Sequence, residues 1–88
     1  MKILYHGEEN IVSKAVQELF EKKLEKLNKF DENLSAEIGF SKEGSDFVIK
    51  MSLKGNHTNL ITKANSNDMY KNIDICVDNL KEQLVKNK

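Results

Sequence analysis

The chain has no proline, no tryptophan, a single cysteine and no formal net charge over its 88 residues, and its fourteen basic residues are all lysines. Several of these absences exclude a class of reading. One cysteine, Cys76, cannot build a disulfide framework. Without arginine the planar bidentate fork is missing, and flexible point charges remain that suit phosphate better than base edges. Any RNA would therefore be recognised by backbone and shape. A net charge of +0 gives no bulk signature of nucleic-acid binding. No segment approaches the ~20 apolar residues of a membrane span, and the stretch from Met1 to Gly7 is too short for a signal-peptide core. No membrane association is expected, and the location expected is the cytoplasm. His6 and His57 stand far apart without a His, Cys or Asp companion at ligand spacing, so solvated histidines and no metal are expected. There is no nucleophile elbow, phosphate loop or Cys/His cluster, and no enzyme, cofactor or small-molecule substrate is expected.

What is present organises into one domain, residues 1–88, large enough to bury about 60 to 65% of its unfolded surface. Residues 2 to 6 read as a short strand ended at Gly7. After the polar link Glu8-Glu9-Asn10 and the pair Ile11-Val12, Ser13 offers an N-cap. From Lys14 to about Phe30, Val16, Leu19, Phe20, Leu24, Leu27 and Phe30 recur at helical spacing, and Asp31-Glu32-Asn33 ends the pattern. Leu34, Ala36, Ile38 and Phe40 then alternate with more polar positions, as do Phe47, Ile49, Met51 and Leu53, across a turn at Lys42-Glu43-Gly44. This predicts a hairpin. Gly55-Asn56 makes another turn into a strand over 57–65 with Leu60, Thr62 and Ala64 inward. Ser66 or Asn67 caps a last helix, with Asp68 placed favourably against its dipole. The order β-α-β-β-β-α predicts an α+β two-layer domain, two helices packed on one face of a four-stranded, mostly antiparallel sheet.

In the last helix Met69, Ile73, Cys76, Val77, Leu80 and Leu84 gather on one face, and Lys71, Asp78, Glu82 and Lys86 on the opposite one. Cys76 is expected there as a small hydrophobe. Tyr70 reads as a core-boundary residue with its hydroxyl exposed, against the alternative of stacking on a base. The order Asp68-Met69-Tyr70, Ile73-Asp74, Leu80, Gln83-Leu84, Lys86 and Lys88 closely resembles the C-terminal helix of the ribosome hibernation-promoting factors, the sigma-54 modulation protein family. That family is built as β-α-β-β-β-α, so the resemblance covers the whole element order. A double-stranded-RNA-binding domain shares the last five elements, but the leading strand and the final helix motif favour the hibernation family. An RRM would need aromatic residues on the open strand face and a KH domain a GxxG loop, and neither is present.

Charge placement gives the candidate site. With Val16 set at 0°, Lys22, Lys26 and Lys29 fall near about 240°, 280° and 220°, while Glu18, Glu21 and Glu25 fall near about 200°, 140° and 180°. A neutral total can thus hide a basic strip that follows a phosphate backbone. The plainer alternative is a solvated face with Glu18–Lys22 and Glu25–Lys29 as i,i+4 pairs. Lys23, near about 340°, lies within the apolar stripe: its stem packs on Phe20 and Leu27, or its ammonium meets RNA. The face of the sheet away from the helices would carry Lys2, His6, Lys50, Lys54, Ile61 and Lys63, either a second phosphate surface or an ordinary solvated one.

The resemblance turns the strip into an RNA-facing surface and adds basic positions of the family, matched or neighboured by Lys81, Lys86 and Lys88. The rRNA-binding set it implies is Lys22, Lys23, Lys26, Lys29, Lys63, Lys81, Lys86 and Lys88. Asn79 and Glu82 depart from the family, which often has Lys or Arg there. The function implied is stress-related, stationary-phase translation silencing in bacteria: binding to the small ribosomal subunit, its rRNA and the whole ribosome near the mRNA-tRNA channel. The chain resembles a short form of the family, or the N-terminal domain of a long one. Two alternatives remain, a structured-RNA-binding domain acting off the ribosome and a protein-interaction module without an RNA role.

Overall fold

The computed structural model describes residues 1–7 and 11–86, so the link Glu8-Glu9-Asn10 and Lys88 lie outside the described residues. The elements run β1 (Lys2–His6), α1 (Lys14–Glu25) continued by a 3₁₀ turn (Lys26–Lys29), β2 (Ser35–Glu43), β3 (Asp46–Lys54), β4 (Asn59–Ser66) and α2 (Met69–Lys86). The sheet order is β1-β2-β3-β4, with β1 parallel to β2 and the other two pairs antiparallel. This is the expected two-layer α+β architecture.

Local chemistry explains where the elements begin. Ser13 caps α1 as expected, its Oγ accepting from the Val16 N–H at 3.2 Å. The cap of α2 differs: Asp68, not Ser66 or Asn67, holds it, with Oδ1 accepting from the N–H groups of Tyr70 at 3.0 Å and Lys71 at 3.3 Å. A carboxylate there joins the capping bond to favourable charge against the helix dipole. Ser66 instead bends the chain into the cap, its Oγ accepting from the Asp68 N–H at 3.0 Å. The hairpin is also tighter than expected. Lys42 and Glu43 are still paired in β2, opposite Phe47 and Asp46, so the turn is only Gly44-Ser45. Gly44 at φ +63° supplies the left-handed first position of a type II′-like turn.

The core is one-sided. Val16, Phe20, Leu24 and Leu27 from the first helical segment and Ile73, Cys76, Leu80 and Leu84 from α2 join Ala36, Ile38, Phe40, Ile49, Met51, Leu53, Leu60 and Ala64 of the sheet in one buried cluster. Phe20 meets Phe40 edge-on at 5.8 Å and Tyr5 stacks on Phe40 at 6.4 Å, contacts worth about 0.5–1.5 kcal/mol beyond area burial. The Tyr5 hydroxyl donates to the Gln17 carbonyl at 3.2 Å. Burial first, then the Glu21 charge, push its phenol up to about 12.

Two polar residues escaped the pattern analysis. Asn72 is fully buried in α2, and its Nδ2 donates to the carbonyls of Phe47 at 2.8 Å and Ser66 at 3.4 Å. It bolts the start of α2 to the facing ends of β3 and β4. At the opposite end Asp31 gathers three donors: the Thr58 hydroxyl at 2.6 Å, the Glu32 N–H at 2.7 Å and the His57 N–H at 2.8 Å. The β3–β4 turn closes on it so tightly that a Cβ at Gly55 would lie 2.8 Å from Asp31 Oδ2 and 2.7 Å from Leu34 Cδ2, so a larger residue there would have to displace both side chains. The segment ending the first helix and the turn ending β3 are thus one corner.

Two outcomes follow. Cys76 is fully buried, and burial pushes its thiol up to about 11. Cys76→Ala should cost roughly 1 kcal/mol in a denaturant melt, and a thiol reagent should label the native protein no faster than it unfolds. The Thr58 hydroxyl, then the His57 N–H, hold the Asp31 carboxyl below its ordinary range. A lowered folded-state value gives stability that is present above the unfolded value and lost as pH falls through the folded one. The gap in melting temperature between wild type and Asp31→Asn should therefore be full at neutral pH and shrink from about pH 4 downward; a gap independent of pH would show that the carboxylate charge plays no part.

Candidate nucleic-acid interface

The strip on the first helical segment is present and open. Lys22, Lys26 and Lys29 are all exposed. Among the described residues, ion pairs join Lys23 to Asp74 and Lys86 to Glu82, and His6 Nε2 contacts Glu37 Oε1 at 2.8 Å. The Glu18–Lys22 and Glu25–Lys29 pairs allowed by spacing are therefore not closed. The tightening at Lys26–Lys29 has a consequence for geometry. In a 3₁₀ turn residues i and i+3 eclipse, so Lys26 and Lys29 line up along the axis, one helical turn on from Lys22. Lys29 Nζ also sits 5.3 Å from the centre of the Phe30 ring, which steadies the end of the row.

Lys23 lies beside this row but turns inward. Its Nζ is 2.7 Å from Asp74 Oδ1, and its side chain is only 34% exposed. It acts as a strut between the helices, an arrangement invisible in either helix alone. Lys81 is exposed two turns beyond Asp74 on the same flank of α2, the flank that meets α1, and has no carboxylate partner among the described residues. Lys86 is paired with Glu82 at 3.3 Å. Asn79 does not face outward: its Nδ2 donates to Thr62 Oγ1 at 3.4 Å. Tyr70 stands 55% exposed instead of lining the core boundary, because the first turn of α2 projects it away from the apolar stripe. Lys63 is apart from all of these, on the face of the sheet turned away from the helices.

Residues 3–88 match the model of the family described as sigma 54 modulation protein / S30EA ribosomal protein. The chain belongs to this family. It is, at that level, a ribosome-associated modulation protein. Among solved structures it is similar to the N-terminal domain of Protein Y from Thermus thermophilus, with TM-score 0.83 and 23% identity over 99% of this chain and 96% of that one. It is also similar to a ribosomal subunit interface protein from Coxiella burnetii, with TM-score 0.83 and 29% identity over 98% and 96%. No curated protein matches it significantly. Among the described residues no helix is long and apolar enough to cross a membrane, and no group of His, Cys, Asp or Glu is arranged to hold a metal ion.

The strut can be tested separately from the strip. Asp74→Asn should lower stability by under about 1 kcal/mol, because the pair is partly exposed. In a double-mutant cycle Lys23→Gln should then add little further loss; full additivity of the two would mean that the pair does not form in solution.

Proposed function

We propose that this protein binds the small ribosomal subunit near the mRNA-tRNA channel in the cytoplasm, through lysine–phosphate contacts, and keeps idle ribosomes inactive under stress or in stationary phase. The observation that carries this reading is the row Lys22, Lys26 and Lys29, in no ion pair among the described residues, on a member of the ribosome-associated family. Lys81 extends the row onto α2, and Lys23 and Lys86 share their charge with Asp74 and Glu82; Lys88, in the rRNA-binding set by resemblance, lies outside the described residues. The likeness to a ribosomal subunit interface protein supports the same partner. The mechanism is occupancy. A rigid wedge carrying a line of cations neutralises phosphates and excludes other ligands from the space it fills, with no catalysis and no cofactor.

The test is charge reversal along the row. Lys22→Glu, Lys26→Glu and Lys29→Glu together remove phosphate contacts and add repulsion without burying a charge, so the domain should stay folded while cosedimentation with small subunits is lost. Lys42→Glu, at the hairpin end, should leave binding nearly unchanged. With about four to six phosphates engaged, wild-type affinity should fall on the order of a hundred-fold or more from low to moderately high salt. A folded triple variant that binds like wild type sinks the assignment. Salt-independent binding would mark a protein interface, and equal affinity for unrelated structured RNA a generic RNA-binding domain.

A further inference from the structure

The sheet face turned away from the helices holds cations that the helical row leaves unexplained. Strand register sets its outward side chains in rungs: Lys2, Ser35, Lys54 and Asn59; then Leu4, Glu37, Ser52 and Ile61; then His6, Gly39, Lys50 and Lys63. Lys50 and Lys63 stand directly opposite each other on neighbouring strands, a like-charge pairing that disfavours the folded sheet. Both are exposed, and no ion pair among the described residues involves either of them, Lys2 or Lys54. The one carboxylate in these rungs, Glu37, is engaged by His6 at 2.8 Å. The remaining acids on this face, Glu43 and Asp46, lie opposite each other at the hairpin tip, about 13 Å along the strand from Lys50.

Gly39 gives an independent observation. It sits inside β2, between His6 and Lys50 on the last rung. Its φ is not positive, and a Cβ there would meet nothing closer than the Lys50 carbonyl at 3.8 Å, an ordinary contact. The fold therefore tolerates a side chain at this position, unlike at Gly55. Glycine inside a strand weakens it and often marks close approach by a ligand or another chain. Its missing side chain leaves the floor of a shallow depression of about 250 Å³, walled by His6, Glu37, Lys50 and Ile61.

We infer that this depression seats a phosphodiester of a second RNA strand, over Gly39 and beside the ammonium of Lys50, with Lys63 on the next strand meeting the same backbone just outside it. Lys2 and Lys54 meet the same backbone two rungs away, about 13 Å along the sheet. The inference rests on the ribosome-binding reading and adds that RNA holds the protein from both layers. An acidic peptide fits the charge less well. Peptides join sheets at an edge through free main-chain groups, whereas Gly39 and Lys50 lie on the two inner strands, paired on both sides. A phosphate needs only point charges and room to approach.

Gly39→Thr is the discriminating variant. Threonine favours strands, so the melting temperature should hold or rise, while affinity for deproteinised small-subunit rRNA falls about ten-fold. A glycine kept for the fold alone would instead show a lowered melting temperature, which overturns the inference. Lys50→Gln with Lys63→Gln should weaken rRNA binding similarly and flatten the slope of log K against log salt by about 1 to 2. Unchanged affinity and slope in both variants overturn it. So does a loss confined to intact subunits, which would mark docking on a ribosomal protein. If the reversed helical row loses subunits and these variants do not, the ribosome-binding reading stands and this inference fails. If the wild type binds bare rRNA but not subunits, the ribosome-binding reading fails and the two sheet variants still decide this one.

Discussion

Phe20 edge-on against Phe40, with Ile73 and Leu80 buried in the same layer, closes the one apolar interior that the described residues share. Each large side chain so buried contributes roughly 1.5–3 kcal/mol relative to exposure, far more than any surface ion pair here. Both helical stripes must use the same side of the sheet. The lysines argued to meet phosphate thereby fall on two outer surfaces, Lys22, Lys26 and Lys29 on the back of the helices and Lys2, Lys50, Lys54 and Lys63 on the open sheet face. The whole thickness of the domain lies between them.

This division is how a chain with a net charge of +0 presents basic surfaces. Neutrality is a sum over the molecule, whereas phosphate responds to local potential. On the helical layer, Glu18 and Glu25 leave Lys22 and Lys29 unpaired, while Asp74 and Glu82 engage Lys23 and Lys86. The cations held by carboxylates flank the row and those left open form it. Asn79, turned towards Thr62, adds no charge to α2.

Two corners hold these surfaces in place, and both depend on short polar side chains. Asn72 ties α2 to the ends of β3 and β4, and Asp31 ties the end of the 3₁₀ turn to the β3–β4 turn through Thr58 and His57. The Asp31 corner lies directly after Lys29, so it also fixes where the lysine row ends. Moving Asp31 would strand the donors it gathers, and moving Asn72 would break its amide bonds to Phe47 and Ser66; Asn72 Oδ1 is buried without a partner among the described residues.

The element order, the one-sided core and the lysine row on the first helix were legible in the amino-acid sequence, because they follow from periodicities of 2 and 3.6 and from residue charge. The helical start at Ser13 was legible for the same local reason, its hydroxyl being within reach of the Val16 N–H. What only the tertiary structure decided are relations between elements: Lys23 bridging to Asp74, Lys50 facing Lys63, Asp31 receiving the β3–β4 turn, and Asn72 reaching back to Phe47. Each joins residues tens of positions apart or on opposite strands, and no periodicity within one element encodes a distance to another. The difference at Asp68 is local: of three adjacent residues able to cap, its carboxylate is the one that accepts from the Tyr70 and Lys71 N–H groups.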